Sequence, residues 1–168
     1  MFKLNEKAPD FTLPKITGGE FCFSDDLKSH DEDHWHLIIF FRGSWCPACM
    51  NELDQLEKEQ GYFNDKKIHL ITVTHDEQAD LEKMQQEHQF SFPVLNDKDF
   101  QFLKDYHVHF HAEDAPYEDH GTHGDPAYFL TDAEGRVLYQ QRQTSPFGRP
   151  APTELRKIIQ YIRSNLKG

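Results

Sequence analysis

Apolar and polar positions along this chain predict strands interleaved with helices. Leu37-Ile38-Ile39-Phe40-Phe41 is a continuous apolar run, the pattern of a strand buried on both faces. Residues 46–61 carry helical spacing with no breaker after Pro47. Ile68–Thr74 contains the β-branched Ile71 and Val73 and predicts a second strand. Asp76 is placed to cap a helix running to about His88, with Leu81 and Met84 facing inward. Residues 92–95 read as a short extended piece, and Asp97 or Asp99 as the start of a short helix through Tyr106. Residues 127–130 and 136–139, joined by Asp132-Ala133-Glu134-Gly135, predict an antiparallel hairpin. Leu155, Ile158, Ile159, Ile162 and Leu166 form one apolar stripe on a final helix, with Pro152 in its first turn.

The β-α-β unit requires a parallel pair with a right-handed crossover, and the later hairpin adds antiparallel strands. The expected architecture is therefore α/β, a mixed central sheet with helices on both faces. No repeat or linker divides the chain, so a single domain over 1–168 is expected.

Composition narrows the function. The chain has 18 Lys and Arg against 29 Asp and Glu, a formal net charge of -11, which disfavours nucleic acid as a partner. Charge is uneven: from Arg136 onward there are seven basic residues and one acid, Glu154, which reads as a solvated basic face on the final helix. The start, Met1-Phe2-Lys3-Leu4-Asn5-Glu6-Lys7, has no apolar segment of a secretory signal, and Leu37 to Phe41 is too short to span a bilayer. A cytoplasmic chain without membrane partners is the expectation. Three Cys are too few for a disulfide scaffold, and in a reducing compartment a Cys pair reads as catalytic or metal-binding.

The strongest motif is Trp45-Cys46-Pro47-Ala48-Cys49, just after the apolar strand and opening the first long helix. Unpaired N–H groups and the positive end of the helix dipole stabilise a thiolate at Cys46. Cys49, one turn later on the same face, can resolve a mixed disulfide. Trp45 would wall the site. A zinc site would need further ligands beyond this one pair. Pro126, after Gly124-Asp125 and at the start of a predicted strand, is placed to bring a loop beside the cysteines, with the isomer of its peptide bond open.

Together these segments resemble the thioredoxin-like superfamily, in its alkyl hydroperoxide reductase and thiol-specific antioxidant branch. Lys7-Ala8-Pro9-Asp10-Phe11-Thr12-Leu13 resembles that branch's opening strand, and Gly18-Gly19-Glu20 with Phe23-Ser24-Asp25 its N-terminal β-hairpin extension. Phe40 to Cys49 with Glu52 resembles the redox centre, and Pro126 to Asp132 with Gly135 the cis-proline strand and hairpin. The resemblance implies a thiol–disulfide oxidoreductase with Cys46 attacking and Cys49 resolving. It implies a substrate groove shaped by Pro126 and flanked by Trp45, no cofactor beyond the redox-active disulfide, and a thioredoxin-type reductant. Protein or small-molecule disulfides are the expected substrates.

The sequence departs from the family pattern in several places, and the first departure weighs on the alternative, a peroxiredoxin-like thiol peroxidase acting on peroxide. The Pro-x-x-x-Thr-x-x-Cys pattern of peroxiredoxins meets Ile39 and Gly43 here, although Arg42 is placed to bind an oxyanion. The buried acid that thioredoxins carry six residues before the first Cys is Phe40, which leaves Glu52 or water to move the proton of Cys49. Asp125 is expected beside Cys46, where an anion would oppose the thiolate, so Asp125→Asn should lower the Cys46 pKa.

Five of eleven His fall between Asp105 and Asp125, among six acids and no Lys or Arg. His107, His109 and His111 alternate and would share one face of an extended chain, near His120, His123 and Asp119. They are candidate metal ligands, and with the Cys pair they make a metal-binding protein the alternative from another class. A polar insert without ligation is the plainer reading. Cys22, alone in Glu20-Phe21-Cys22-Phe23, reads as a packing residue.

Overall fold

The computed structural model describes residues 1–112, 116 and 120–167. Its centre is a five-stranded sheet. The strands are β3 (Trp35–Phe40), β4 (Ile68–Thr74), β5 (Val94–Asn96), β8 (Ala127–Thr131) and β9 (Val137–Arg142), in the order β5-β4-β3-β8-β9. β3, β4 and β5 run parallel, whereas β8 and β9 are antiparallel to their neighbours. The order puts β3 in the middle, which is why all six of its residues are buried and its sequence is nearly all apolar.

Alternation along β3 divides two cores. Leu37, Ile39 and Phe41 pack with α2 (Pro47–Lys58), α4 (Gln78–His88) and α6 (Pro152–Asn165) through residues such as Leu53, Leu81 and Ile159. Ile38 and Phe40 point the other way, to α1 (Phe23–Ser29) and α5 (Gln101–Asp105), through Phe23 and Phe102. Helices thus cover both faces of a mixed sheet. An N-terminal hairpin, β1 (Thr12–Pro14) with β2 (Glu20–Cys22), is tied to the β5 edge where the Ile16 N–H donates to the Val94 carbonyl. A two-residue ladder, β6 (Phe110–His111) with β7 (His123–Gly124), closes the His-rich insert. Asp119, considered above among the metal-binding candidates, lies outside the described residues.

Several local expectations change. The helix expected over 46–61 stops at Lys58, and α3 (Gln60–Asp65) follows after Glu59 leaves helical geometry at φ -93 and ψ 4. Asp76 does not cap α4, whose N-cap is Glu77; its carboxylate instead takes the Ser44 N–H and hydroxyl at 2.9 and 2.5 Å. Asp97 does serve α5, accepting from the Phe102 and Leu103 N–H groups at 3.0 and 2.9 Å. Leu166 lies past the end of α6 and is exposed, so Leu155 and Ile159 carry the burial of the stripe. The basic stretch is less solvated than its sequence suggests. Arg156 lies over the Tyr62 ring and bonds Glu59, and Arg163 lies over Trp35. No peptide bond among the described residues is cis, so Asp125–Pro126 is trans.

Candidate active site

The site forms where the chain leaves β3 and enters α2. Cys46 is the N-cap of α2, with extended backbone at φ -88 and ψ 108, and Pro47 follows at the first turn, where a missing N–H costs nothing. The Cys46 sulfur takes the place a capping oxygen would fill and accepts the Cys49 N–H at 3.3 Å. Arg42 Nη1 lies 3.8 Å from the same sulfur. Both cysteines are free thiols.

Their surroundings make the two thiols unequal. Hydrogen bonds from the Cys49 thiol and backbone N–H, with the charges of Arg149 and Arg42, bring Cys46 down to about 5 against the opposing effect of burial. Burial, and then hydrogen bonding to Cys46, push Cys49 far above the ordinary thiol range. Cys46 is thus the thiolate and Cys49 the waiting thiol. Arg149, from the loop before α6, donates to Cys49 Sγ at 3.2 Å. Glu52 lies one turn past Cys49 on α2, where burial raises it to about 7 although Tyr128 donates its hydroxyl to Oε2 at 2.5 Å.

A second set of side chains covers the sulfur, and Cys46 is only 2% exposed. Trp45 stacks on His120 with ring centres 3.7 Å apart, and the Arg42 guanidinium sits 4.8 Å from the Trp45 ring. His123 fixes Arg42 in turn. Its Nδ1–H donates to the Gly121 carbonyl at 2.8 Å, so its Nε2 accepts from Arg42 Nη2 at 3.3 Å. Burial lowers the His123 pKa and favours this neutral form. Trp45 also explains Gly43, because a Cβ there would overlap the indole ring. Two clefts flank the centre. One is lined by Trp45, Asp76, His120 and His123, the other by Ala48, Glu52, Phe147 and Arg149.

The remaining sequence candidates fall differently from expectation. Asp125 is fully buried and turned to the histidines: His109 Nδ1 and His111 Nε2 lie 2.8 and 2.7 Å from its Oδ2. It does not line a groove. Cys49, Arg149 and Arg42 are the groups that shift Cys46, so the ground for Asp125→Asn lowering that pKa is gone. Pro126 is also buried, at the head of β8, with its carbonyl accepting from the Gln143 N–H. His107 adopts φ +55, is exposed and lies against Phe2, apart from His109 and His111. His109, His111 and Asp125 hold donor atoms within 4.8 Å of one another, a spacing that fits a metal ion; among the described residues the Cys pair belongs to no such group. Cys22 ends β2 with its sulfur 3.3 Å from Ser24 Oγ.

Sequence reasoning missed Arg149 and understated Glu52 and His123. Arg149 is 100 residues from its sulfur partner in a loop without periodicity. Glu52 did carry a signal, an acid one turn after Cys49 on a helix face otherwise apolar.

Comparisons with known proteins agree with this architecture. The thiol–disulfide oxidoreductase ResA of Halalkalibacterium halodurans is 22% identical over 107 residues, covering 63% of this chain and 57% of that protein. The chain thus spans little more than half the length of that relative. Peroxidoxin BcpB of Mycobacterium tuberculosis superposes with a TM-score of 0.78 at 18% identity over the whole of both chains. A Chlorobium tepidum protein assigned as a thiol:disulfide interchange protein DsbE gives 0.71 at 26% identity, covering 96% of this chain and 98% of that one. The AhpC/TSA family matches residues 4–140, most of the sheet and all of the Cys46–Cys49 centre, and the chain belongs to that family.

Proposed function

We propose that the chain is a thiol–disulfide oxidoreductase in which Cys46 attacks a protein or small-molecule disulfide. The observation that carries this reading is the inequality of the two thiols at one helix N-terminus. The Cys46 thiolate attacks one substrate sulfur, the substrate S–S bond breaks, and the other sulfur leaves as a thiolate. Cys49 then loses its proton to Glu52, attacks Cys46 and releases the second substrate thiolate. The Cys46–Cys49 disulfide remains, two electrons having passed to the substrate. A thioredoxin-type dithiol returns the pair to the reduced state, so no separate cofactor is required. Arg149 stabilises the Cys49 sulfur as its proton leaves.

A peroxidase reading draws on one specific observation, the Arg42 guanidinium near Cys46 Sγ. Peroxide would oxidise Cys46 to a sulfenic acid, and Cys49 would displace water to close the same disulfide. Against it, the Trp45 indole fills the space where a side chain at position 43 would begin. Mixing the reduced protein separately with hydrogen peroxide and with a protein disulfide, and timing Cys46–Cys49 closure, decides between them. The disulfide should react faster; preferential oxidation by peroxide would overturn the first reading.

A further inference from the structure

A second constellation lies at the opposite end of β3 from Cys46, and neither the sequence reading nor the redox chemistry uses it. Asp26 lies midway along α1, and His30, four residues on, is its C-cap, where the backbone turns extended and the imidazole comes back toward Asp26. His36 is the second residue of β3 and His69 the second of β4, and they are register partners in the parallel ladder. The end of α1 and one rung of the parallel ladder thus bring three imidazoles and a carboxylate to one point. His36 Nε2 and His69 Nδ1 each lie 2.7 Å from Asp26 Oδ2, and His30 Nε2 lies 3.4 Å from it. All four donor atoms fall within 4.8 Å of one another.

We propose that Asp26, His30, His36 and His69 form a binding site for a divalent transition-metal ion, with zinc the best match. Three imidazole nitrogens and one carboxylate oxygen are a four-ligand set that zinc accepts in tetrahedral geometry. With bonds of about 2.0–2.1 Å, such a tetrahedron has edges of roughly 3.3 Å. The three oxygen–nitrogen spacings, 2.7 to 3.4 Å, lie within a fraction of an ångström of that edge, and the nitrogens lie within 4.8 Å of one another. Without a cation, a single carboxylate oxygen faces three imidazole nitrogens, more than its two lone pairs can serve. A cation lets each imidazole give a lone pair instead. His36 is fully buried, with its other nitrogen lacking a hydrogen-bond partner, so it has no outlet to solvent. Side chains of Asp26, His30 and His69 are 18 to 28% exposed, which leaves an entry path from one side. The bound ion would fasten α1 to the starts of β3 and β4.

The test uses the full chain with Cys46→Ser and Cys49→Ser, so that thiols do not compete, after chelator treatment. Calorimetry with zinc chloride in a His109→Ala background, which breaks the other donor group at His109, His111 and Asp125, should give one site, and thermal melting should show a higher Tm with zinc. His30→Ala and His69→Ala, chosen because both side chains are partly exposed, should each weaken zinc by more than about tenfold, since even an outer-shell partner is worth about that much. His109→Ala should leave this site unchanged. Cobalt added to the same protein should show the visible bands of a tetrahedral site. No zinc heat, binding that survives both His30→Ala and His69→Ala, or binding lost with His109→Ala alone would overturn the proposal. Octahedral cobalt spectra would overturn it even if a variant failed to fold.

Discussion

The Cys46 sulfur owes its charge to a helix cap, a neighbouring thiol and two guanidinium groups, so its titration is testable group by group. Alkylation of the reduced protein should titrate with a midpoint near 5. Arg149→Met and Arg42→Met should each raise that midpoint, Arg149→Met by more, because its charge lowers Cys46 more strongly. The same shift has a consequence for stability. Folding lowers this thiol from 9.0 to about 5, so the stabilisation it brings is complete above about 9 and is lost as pH falls through 5. The Tm difference between the reduced wild-type protein and Cys46→Ser should shrink over that window; a constant difference would contradict the assignment. Glu52 offers a second handle. Tyr128→Phe removes the hydroxyl that stabilises the Glu52 carboxylate, so its pKa should rise above about 7. Release of thiol from a trapped Cys46 mixed disulfide should then need a higher pH. Cys46 and Cys49 are legible in the sequence because their chemistry depends on local spacing. Arg149, His36 and His69 are not, because each acquires its role only when strand register or a distant loop brings it to a partner.

At the scale of elements, side chains outside the helices decide where helices begin. α5 is five residues long and stands on Asp97, whose buried carboxylate takes two of its N–H groups. Asp97→Ala should cost about 1–2 kcal/mol in a urea titration, the range for loss of such a cap. Asp76 shows why the same residue type misleads in sequence. An Asp before an apolar run reads as a cap, yet this one holds Ser44 in the loop that leads to Cys46. Asp76→Ala should leave α4 intact by circular dichroism and instead change the alkylation rate of Cys46. The strands were more legible than the helix ends. Burial on both faces writes a continuous apolar run such as 37–41, whereas the break at Glu59 falls two residues before the nearest glycine, Gly61, which lies inside α3.

Across the whole molecule, the sheet separates two cores of different character. The core under α1 and α5 is rich in rings: Phe102 stacks on Tyr106 at 4.0 Å, meets Phe11 edge-on at 5.1 Å and lies parallel to Phe40 at 6.2 Å. Phe102→Ala should cost about 3–5 kcal/mol by urea denaturation, the usual range for removing a buried Phe. The sheet also sets the two ends of β3 apart, with the histidine cluster where the strand starts and the thiol pair after it finishes. The unequal thiols reach beyond nucleophilicity to the direction of electron flow. A reduced form held as one thiolate and one thiol lies lower in free energy, so the disulfide of this protein is the better electron acceptor for it. Each two-electron reduction above about pH 5 then takes up one proton rather than two. The midpoint potential should fall by roughly 30 mV per pH unit there and about twice as steeply below. Oxidation of Cys46 also removes the repulsion that helps hold Glu52 near 7, so a shallow break near that pH should mark the proton that travels with the electrons.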